Sequence, residues 1–353
     1  MNSDPKALHE RLRQTLRAAG HAAAQAPLES LPDKGLAHDH VRLVGTGLLA
    51  RVPKQSQMDL GAADNLAYQR ACFERAAASG HTPRLHGTLP PSAALPRGAL
   101  LVEEIAGRPA RLPQDLGAIA QAMAGWHRLP LPAPDRLGPL LHAGDPLTAL
   151  LQEIGQQATH LPAAGLAPEV LRRIEAGLAG LRKRCERADR PARTLIAFDG
   201  HPGNFLVRAD GSAVLVDLEK CRYAYPGLDL AHATLYTSTT WDVATHAVLT
   251  EGEVLGFYAA WGRAAGPQAD AAMAWHGPLR RAMWLWSVTW CAKWRVLAHR
   301  ERKAGADGED WSAERSEAAL VAHVRDRVDH YLSLAVVQRV VDGFDSFERG
   351  LRA

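Results

Sequence analysis

Two short polar clusters carry the chemistry open to this chain. The first is Asp199-Gly200-His201-Pro202-Gly203-Asn204, and the second is Asp217-Leu218-Glu219. Each lies at the end of a short apolar run. Thr194-Leu195-Ile196-Ala197-Phe198 leads into the first, Phe205-Leu206-Val207-Arg208 leaves it, and Val214-Leu215-Val216 leads into the second. Asp210-Gly211, between the last two runs, is a strong hairpin signal. A hairpin folds its ends back together, so Asn204 and Asp217 are expected side by side, with Asp199 nearby on the loop. Two carboxylates and a carboxamide form a hard oxygen donor set suited to Mg2+, with phosphate oxygens completing the octahedron. Phosphoryl transfer needs little else: a metal to neutralise charge, a carboxylate to take the hydroxyl proton, and a cation on the donor phosphates.

The elements that must hold these clusters follow from periodicity and punctuation. Leu8, Leu12 and Leu16 predict an amphipathic helix within 6–24. Residues 28–54 read as strand, tight turn at Gly45-Thr46-Gly47, and strand, ended by Pro53. Residues 64–79 read as a helix with Gly80 as C-cap. Residues 98–105 read as a buried strand that Gly107-Arg108-Pro109 breaks. Beyond 110 the pattern turns helical. Asp115 is expected to cap a helix carrying Leu116, Ile119, Met123 and Trp126. A Pro-rich connector spans 130–139, helices follow over 146–160 and 167–187, and helices resume from about 228.

At this point the chain resembles a known family. Asp199-x4-Asn204 followed by Asp217 is similar to the catalytic loop and metal motif of the aminoglycoside-phosphotransferase and choline-kinase superfamily, and His201-Pro202-Gly203-Asn204 closely matches its wording. Tyr225-Pro226-Gly227-Leu228-Asp229-Leu230-Ala231 resembles its P-x-x-D-L-A segment. Gln121 to Pro130, with Trp126-His127-Arg128-Leu129-Pro130 at its end, resembles its helix closing in L-H-x-L-P. The resemblance runs from about 28 to 240. It implies an α+β, two-lobed protein-kinase-like fold: a small sheet-plus-helix lobe over 1–104 that binds nucleotide, a hinge at 105–109, and a larger, mostly helical lobe over 110–353. ATP and Mg2+ are then expected in the cleft.

Residue by residue, the resemblance implies that Asp199 orients the acceptor hydroxyl and takes its proton. Asn204 and Asp217 hold Mg2+, with Glu219 as a second ligand or a support. Arg51 falls where the family places a strand cation on the ATP phosphates. Lys54 is a second candidate, with Arg51 preferred because Pro53 interrupts the strand before Lys54. Lys34 and Gly35 fall at the turn covering the phosphates, and Glu103, Glu104 and Ile105 fall in the linker whose backbone receives adenine. Two positions depart from the family's pattern. Where it writes His-Gly-Asp, this chain has Ala197-Phe198-Asp199. The helical Glu that pairs with the strand cation aligns with Gln69, whereas Glu74, five residues on, lies about 140° around the helix.

Composition bounds the rest. With 47% hydrophobic and 22% charged residues the chain reads as globular, and 353 residues suit two lobes or domains. A net charge of +3 with no dense basic tract argues against a nucleic-acid partner. The four cysteines, Cys72, Cys185, Cys221 and Cys291, form no CxxC pair, which fits reduced thiols in a cytoplasmic protein. Neither a secretory signal nor a membrane span is expected, since the apolar stretch Ala282 to Ala292 is well short of about 20 residues. No GxxxxGK[ST], HExxH or GxSxG motif occurs.

Several side chains admit a structural reading. Asp229 is expected to brace the loop, His127 to lie in the core, and His201 to pack rather than exchange protons. His38 and His40 share one strand face but lack a third ligand in the sequence. Trp286, Trp290 and Trp294 fall at i, i+4, i+8. They make either a core stripe or an aromatic wall for a cationic acceptor. The segment Tyr236 to Asp242 is the first choice for further acceptor contacts. The acceptor is a small hydroxyl compound: an amino alcohol, an amino sugar or another metabolite. The alternative is a nucleotide-binding protein of this fold that does not turn over, suggested by Ala197 and Gln69.

Overall fold

The computed structural model describes residues 5–32, 37–298 and 318–352. The chain divides into two compact units, the first made of Met1–Ala77, Pro83–Ile105 and Leu297–Arg325, the second of Ala78–Thr82, Ala106–Val296 and Asp326–Ala353. Among the described residues no helix is long and apolar enough to cross a membrane.

The first unit opens with α1 (Pro5–Ala18), whose leucines at i, i+4, i+8 are buried, and continues through β1 (Leu28–Ser30), β2 (His38–Leu43) and β3 (Leu48–Pro53). Helix α2 (Ala62–Ala76), β4 (Leu85–Leu89) and β5 (Ala99–Glu103) complete it. The strands form one antiparallel sheet in the order β1-β2-β3-β5-β4, and Leu43 faces Leu48 across the Gly45-Thr46-Gly47 turn. Leu8, Leu12 and Leu16 pack on Val41, Leu43, Ala50, Val52, Ala99 and Leu101 from that sheet. The apolar periodicity of one helix and the alternation of three strands therefore seal a single core.

The second unit holds β6 (Arg108–Pro109), α3 (Leu116–His127), α4 (Pro146–Ala158), α5 (Pro168–Cys185), β7 (Thr194–Ile196), β8 (Phe205–Val207), β9 (Ala213–Leu215) and β10 (Arg222–Ala224). After these come α6 (Pro226–Thr234), the single turn α7 (Tyr236–Thr239), α8 (Glu251–Ala265), α9 (Gln268–Leu297), α10 (Ala318–Tyr331), whose residues up to Arg325 belong to the first unit, and α11 (Leu334–Gly350). Two small sheets interrupt the helices: β10 pairs with β7, and β8 lies between β6 and β9. The fold is thus α+β, with a small antiparallel sheet unit and a larger helical one.

Two local expectations differ from what is found. Arg108-Pro109 does not simply break the chain after β5; it pairs antiparallel with Leu206 and Val207. Asp115 precedes α3 but makes no side-chain cap. Its carboxylate is taken by both terminal nitrogens of Arg108, at 2.6 and 3.0 Å, and by the Arg111 amide. A bidentate guanidinium outcompetes a neutral amide for the same oxygens.

The interior of the second unit makes stability depend on pH. Burial lowers the pKa of His232 and His276 from 6.5 to about 4. Between those values the unfolded chain binds protons that the folded chain does not. Stability is therefore full above about pH 6.5 and falls as the pH drops toward about 4. At pH 5 the loss is about 2 kcal/mol per histidine. The melting temperature should fall markedly between pH 7 and pH 5, and His276→Phe should flatten part of that fall. A melting temperature unchanged over this range would contradict the account.

Candidate active site

The hairpin does what its signal promised. Gly211 adopts φ +85°, the Asp210 carboxylate accepts from the Ser212 amide and hydroxyl, and Phe205, Leu206 and Val207 face Leu215, Val214 and Ala213. One residue past the ladder the Val216 amide donates to the Asn204 carbonyl at 2.9 Å, which sets Asp217 beside Asn204. A carboxylate oxygen of Asp217 and one of Glu219 lie within 4.8 Å of each other. Asn204 Nδ2 donates to the Asp199 carbonyl at 2.9 Å. That bond orients the carboxamide and leaves Oδ1 as its acceptor atom. Asp199, Asn204, Asp217 and Glu219 are therefore brought together within one unit, and their oxygens fit a hard divalent cation.

The turn joining Asp199 to Asn204 is tightly built. His201 precedes a 3-10 turn over Pro202–Asn204 and caps it, its Nδ1 accepting from the Gly203 amide. Gly203 is there because of space: a Cβ on it would lie 2.8 Å from Cβ of Asp242 and 2.9 Å from Cε1 of His201. His201 thus packs and caps, as its setting suggested.

Next to Asp199, Phe198 adopts φ +62°. A bulky residue pays roughly 1–3 kcal/mol for such a conformation and keeps it only when its surroundings over-determine it. They do so here. Asp229, fully buried, accepts from the Ala197 amide through Oδ2 and the Phe198 amide through Oδ1, each at 2.8 Å. The same Oδ2 accepts from Trp126 Nε1 at 3.1 Å and from His127 Nε2 at 3.0 Å. His127 Nδ1 accepts from Trp261 Nε1, so its Nε2 carries the hydrogen donated to Asp229. Trp286 meets the Phe198 ring edge-on at 5.2 Å, and the Arg222 guanidinium lies 3.6 Å over it. Glu153 accepts from Trp286 Nε1 at 2.6 Å and from Arg222 at 3.0 Å, closing that ring of contacts. Asp229 is thus the brace, and His127 the core histidine, that their settings suggested.

Sequence reasoning missed one partner of Asp199. Lys220 Nζ donates to Asp199 Oδ2 at 2.7 Å, and both side chains are largely enclosed. Burial opposes the charge on Asp199, yet the Lys220 ammonium, with His201 and His232 adding to it, holds the carboxyl well below the usual carboxylate range. Burial likewise opposes the charge on Lys220, and Asp199, then Glu219, more than restore it. The sequence offered only a lysine directly after the acidic pair Asp217 and Glu219.

The remaining candidates lie in the first unit. Arg51 is buried on β3, its Nη1 3.4 Å from His40 Nε2 and its guanidinium 5.7 Å from the Phe73 ring. Gln69 Oε1 is engaged by His38 Nε2 at 3.0 Å, while Glu74 pairs with Arg70 on the exposed face of α2. Lys54 Nζ lies 3.8 Å from Asp39. Glu103 accepts from the Arg84 amide, and Glu104 accepts from Arg42 while its own amide donates to the Gly47 carbonyl. Ile105 ends the first unit's second segment. Lys34 and Gly35 lie outside the described residues.

The tryptophans of α9 differ in their settings. Trp284 and Trp294 are core, Trp286 backs Phe198, and Trp290 is half-buried with its ring edge-on to Trp241 at 5.8 Å. Trp241 in turn stacks on Tyr331 at 6.1 Å. The hydroxyl side chains of Thr237, Ser238, Thr239 and Thr240 are buried in the interior, which leaves half-buried Tyr236, Trp241 and Asp242 as the accessible part of that segment.

A family model described as the phosphotransferase enzyme family matches residues 31–276, and the chain belongs to that family. Among curated proteins no sequence match was found. Solved structures share the fold at low identity. A choline/ethanolamine kinase family protein from Mesorhizobium loti is 15% identical with a TM-score of 0.56, covering 98% of this chain and 99% of its own. A choline kinase from Streptococcus pneumoniae is 12% identical with a TM-score of 0.56, covering 96% and 99%. A putative aminoglycoside phosphotransferase from Ralstonia eutropha is 15% identical with a TM-score of 0.53, covering 94% and 98%. The fold is that of these kinase-like structures.

Proposed function

We propose that this protein transfers a phosphoryl group from Mg·ATP to a hydroxyl of a small molecule such as an amino alcohol or amino sugar. The reading rests most on the convergence of Asp199, Asn204, Asp217 and Glu219 within one unit. The acceptor hydroxyl bonds to Asp199, which orients its oxygen and receives its proton. Asn204 Oδ1 and the Asp217 carboxylate, with Glu219, hold the metal, which when bound offsets the charge on the phosphoryl oxygens. Arg51 is assigned to the donor phosphates, with Lys34 and Gly35 at the turn covering them, and the backbone of Glu103, Glu104 and Ile105 is assigned to adenine. Half-buried Trp241 and Trp290 offer aromatic faces for a cationic or sugar acceptor.

A second reading, nucleotide binding without turnover, is favoured by Gln69: a neutral amide, engaged by His38, stands where the family places a carboxylate. Both readings require metal-assisted nucleotide binding. A ligand at a hundredfold excess over Kd stabilises the folded state by about 2.7 kcal/mol. ATP with Mg2+ should therefore raise the melting temperature by several degrees and ATP with chelator by much less. Asp217→Ala should abolish the difference. Equal shifts with and without metal would remove Asp217 from the metal site.

A further inference from the structure

We propose that Lys220 is the positioning residue of the base, tying down one oxygen of Asp199 so that the other faces the acceptor hydroxyl. The inference rests on the phosphotransferase reading above. Lys220 Nζ stands 2.7 Å from Asp199 Oδ2. On the other side of the carboxylate, His232 Nδ1 is 3.9 Å from Oδ1 but is committed to the Phe198 carbonyl, to which it donates at 3.1 Å. Oδ1 therefore keeps acceptor capacity for an incoming hydroxyl, whereas Oδ2 is spent on the ammonium.

A lysine on a four-carbon stem holds a geometry only when its own seat is fixed. Here the ammonium lies 5.8 Å over the Trp286 ring, and Trp286 is fixed by Glu153 through its indole nitrogen and by the edge of Phe198. The side chain is only 12% exposed. Lys220 also follows Asp217 and Glu219 by three residues and one, so the segment that places the metal carboxylates places the ammonium too. An ammonium on Oδ2 fixes the plane of the carboxylate without consuming the oxygen that reacts. In the transfer step the hydroxyl proton passes to Asp199 Oδ1, the hydroxyl oxygen bonds to the donor's terminal phosphorus, and the leaving oxygen keeps the electron pair of the broken P–O bond.

The test uses the full chain with Mg·ATP and water as acceptor, following ADP release in wild type, Lys220→Met, Lys220→Arg, Asp199→Asn and the Asp199→Asn/Lys220→Met double variant. Lys220→Met should lower kcat about 10²-fold, the scale of misplacing a reacting group by about 1 Å, with the KM for Mg·ATP held within about threefold. Lys220→Arg should regain about tenfold of that loss, and the double variant should be no slower than Asp199→Asn alone, because Lys220 acts through Asp199. A Lys220→Met rate within about threefold of wild type would overturn the proposal, as would losses that multiply in the double variant. A loss confined to KM would overturn it as well, by assigning Lys220 to nucleotide binding. Should Lys220→Met fail to fold by circular dichroism, Lys220→Gln takes its place under the same criteria. If calorimetry detects no Mg·ATP binding to folded wild type, the phosphotransferase reading fails and the proposal falls with it. That outcome is distinct from normal wild-type turnover that ignores Lys220.

Discussion

Asp199→Asn is expected to lower phosphoryl transfer by roughly 10²–10⁴-fold, the range for a lost acid–base group, while calorimetric affinity for Mg·ATP stays near wild type. Asparagine keeps the shape of the side chain and an acceptor for Lys220, but it removes the counter-charge of a lysine whose side chain is only 12% exposed. Replacing a charge-assisted bond by a neutral acceptor costs about 1–2 kcal/mol. The melting temperature should therefore drop by a few degrees without loss of the fold. The two effects are separable: lost turnover with retained binding identifies the base, whereas parallel loss of binding and turnover would point to collapse of the loop. Near-normal turnover would remove Asp199 from the chemistry.

The largest effect on stability is expected at Asp229. Asp229→Ala leaves the Trp126 and His127 ring nitrogens and the Ala197 and Phe198 amides without their acceptor, all of them in the interior. Each buried orphan donor costs roughly 1–3 kcal/mol, so the sum is at least about 4 kcal/mol, a large share of the roughly 5–15 kcal/mol that separates folded from unfolded domains. Asp229→Asn fares little better, because its amide NH2 confronts donors where the carboxylate offered a second oxygen. Urea denaturation at pH 7 should show this loss. Turnover should fall further than the unfolded fraction explains, since the left-handed conformation of Phe198 beside Asp199 depends on this carboxylate. A loss under about 1 kcal/mol would mean that water or relaxed neighbours satisfy the four donors.

What was legible in the sequence was local. The leucine spacing of α1, the strand–turn–strand of 38–53 and the Asp210-Gly211 hairpin each declared themselves through periodicity or turn chemistry, and the hairpin alone sufficed to bring Asn204 to Asp217. Strand β4, Leu-His-Gly-Thr-Leu, shows too little alternation or β-branching to read as a strand, and its pairing with β5 decides its state. The carboxylate of Asp115 looked like a cap because capping is local, whereas Arg108 reaches it from seven residues away. Lys220 and Asp199 are 21 residues apart and meet only after β7, β8, β9 and their loops are in place, so no spacing rule exposes the pair. Phe198 offers no local signal for φ +62°, a conformation that glycine adopts freely and that only tertiary contacts impose on phenylalanine. The tryptophan spacing correctly placed Trp286, Trp290 and Trp294 along one helix, but could not separate the ring that backs Phe198 from the half-buried one beside Trp241.

The central claim is that Asp199 and the Asn204–Asp217–Glu219 oxygens catalyse phosphoryl transfer to a small hydroxyl compound. Incubation with ATP labelled at the γ-phosphate and Mg2+, across a panel of amino alcohols, amino sugars and other hydroxyl metabolites, tests it most directly. The account predicts that label passes to at least one member of the panel, that chelation of Mg2+ stops the transfer, and that Asp199→Asn lowers it by at least about 10²-fold. Calorimetrically verified Mg·ATP binding with no label transferred to any member of the panel or to water would contradict it, and would leave a nucleotide-binding protein that does not turn over.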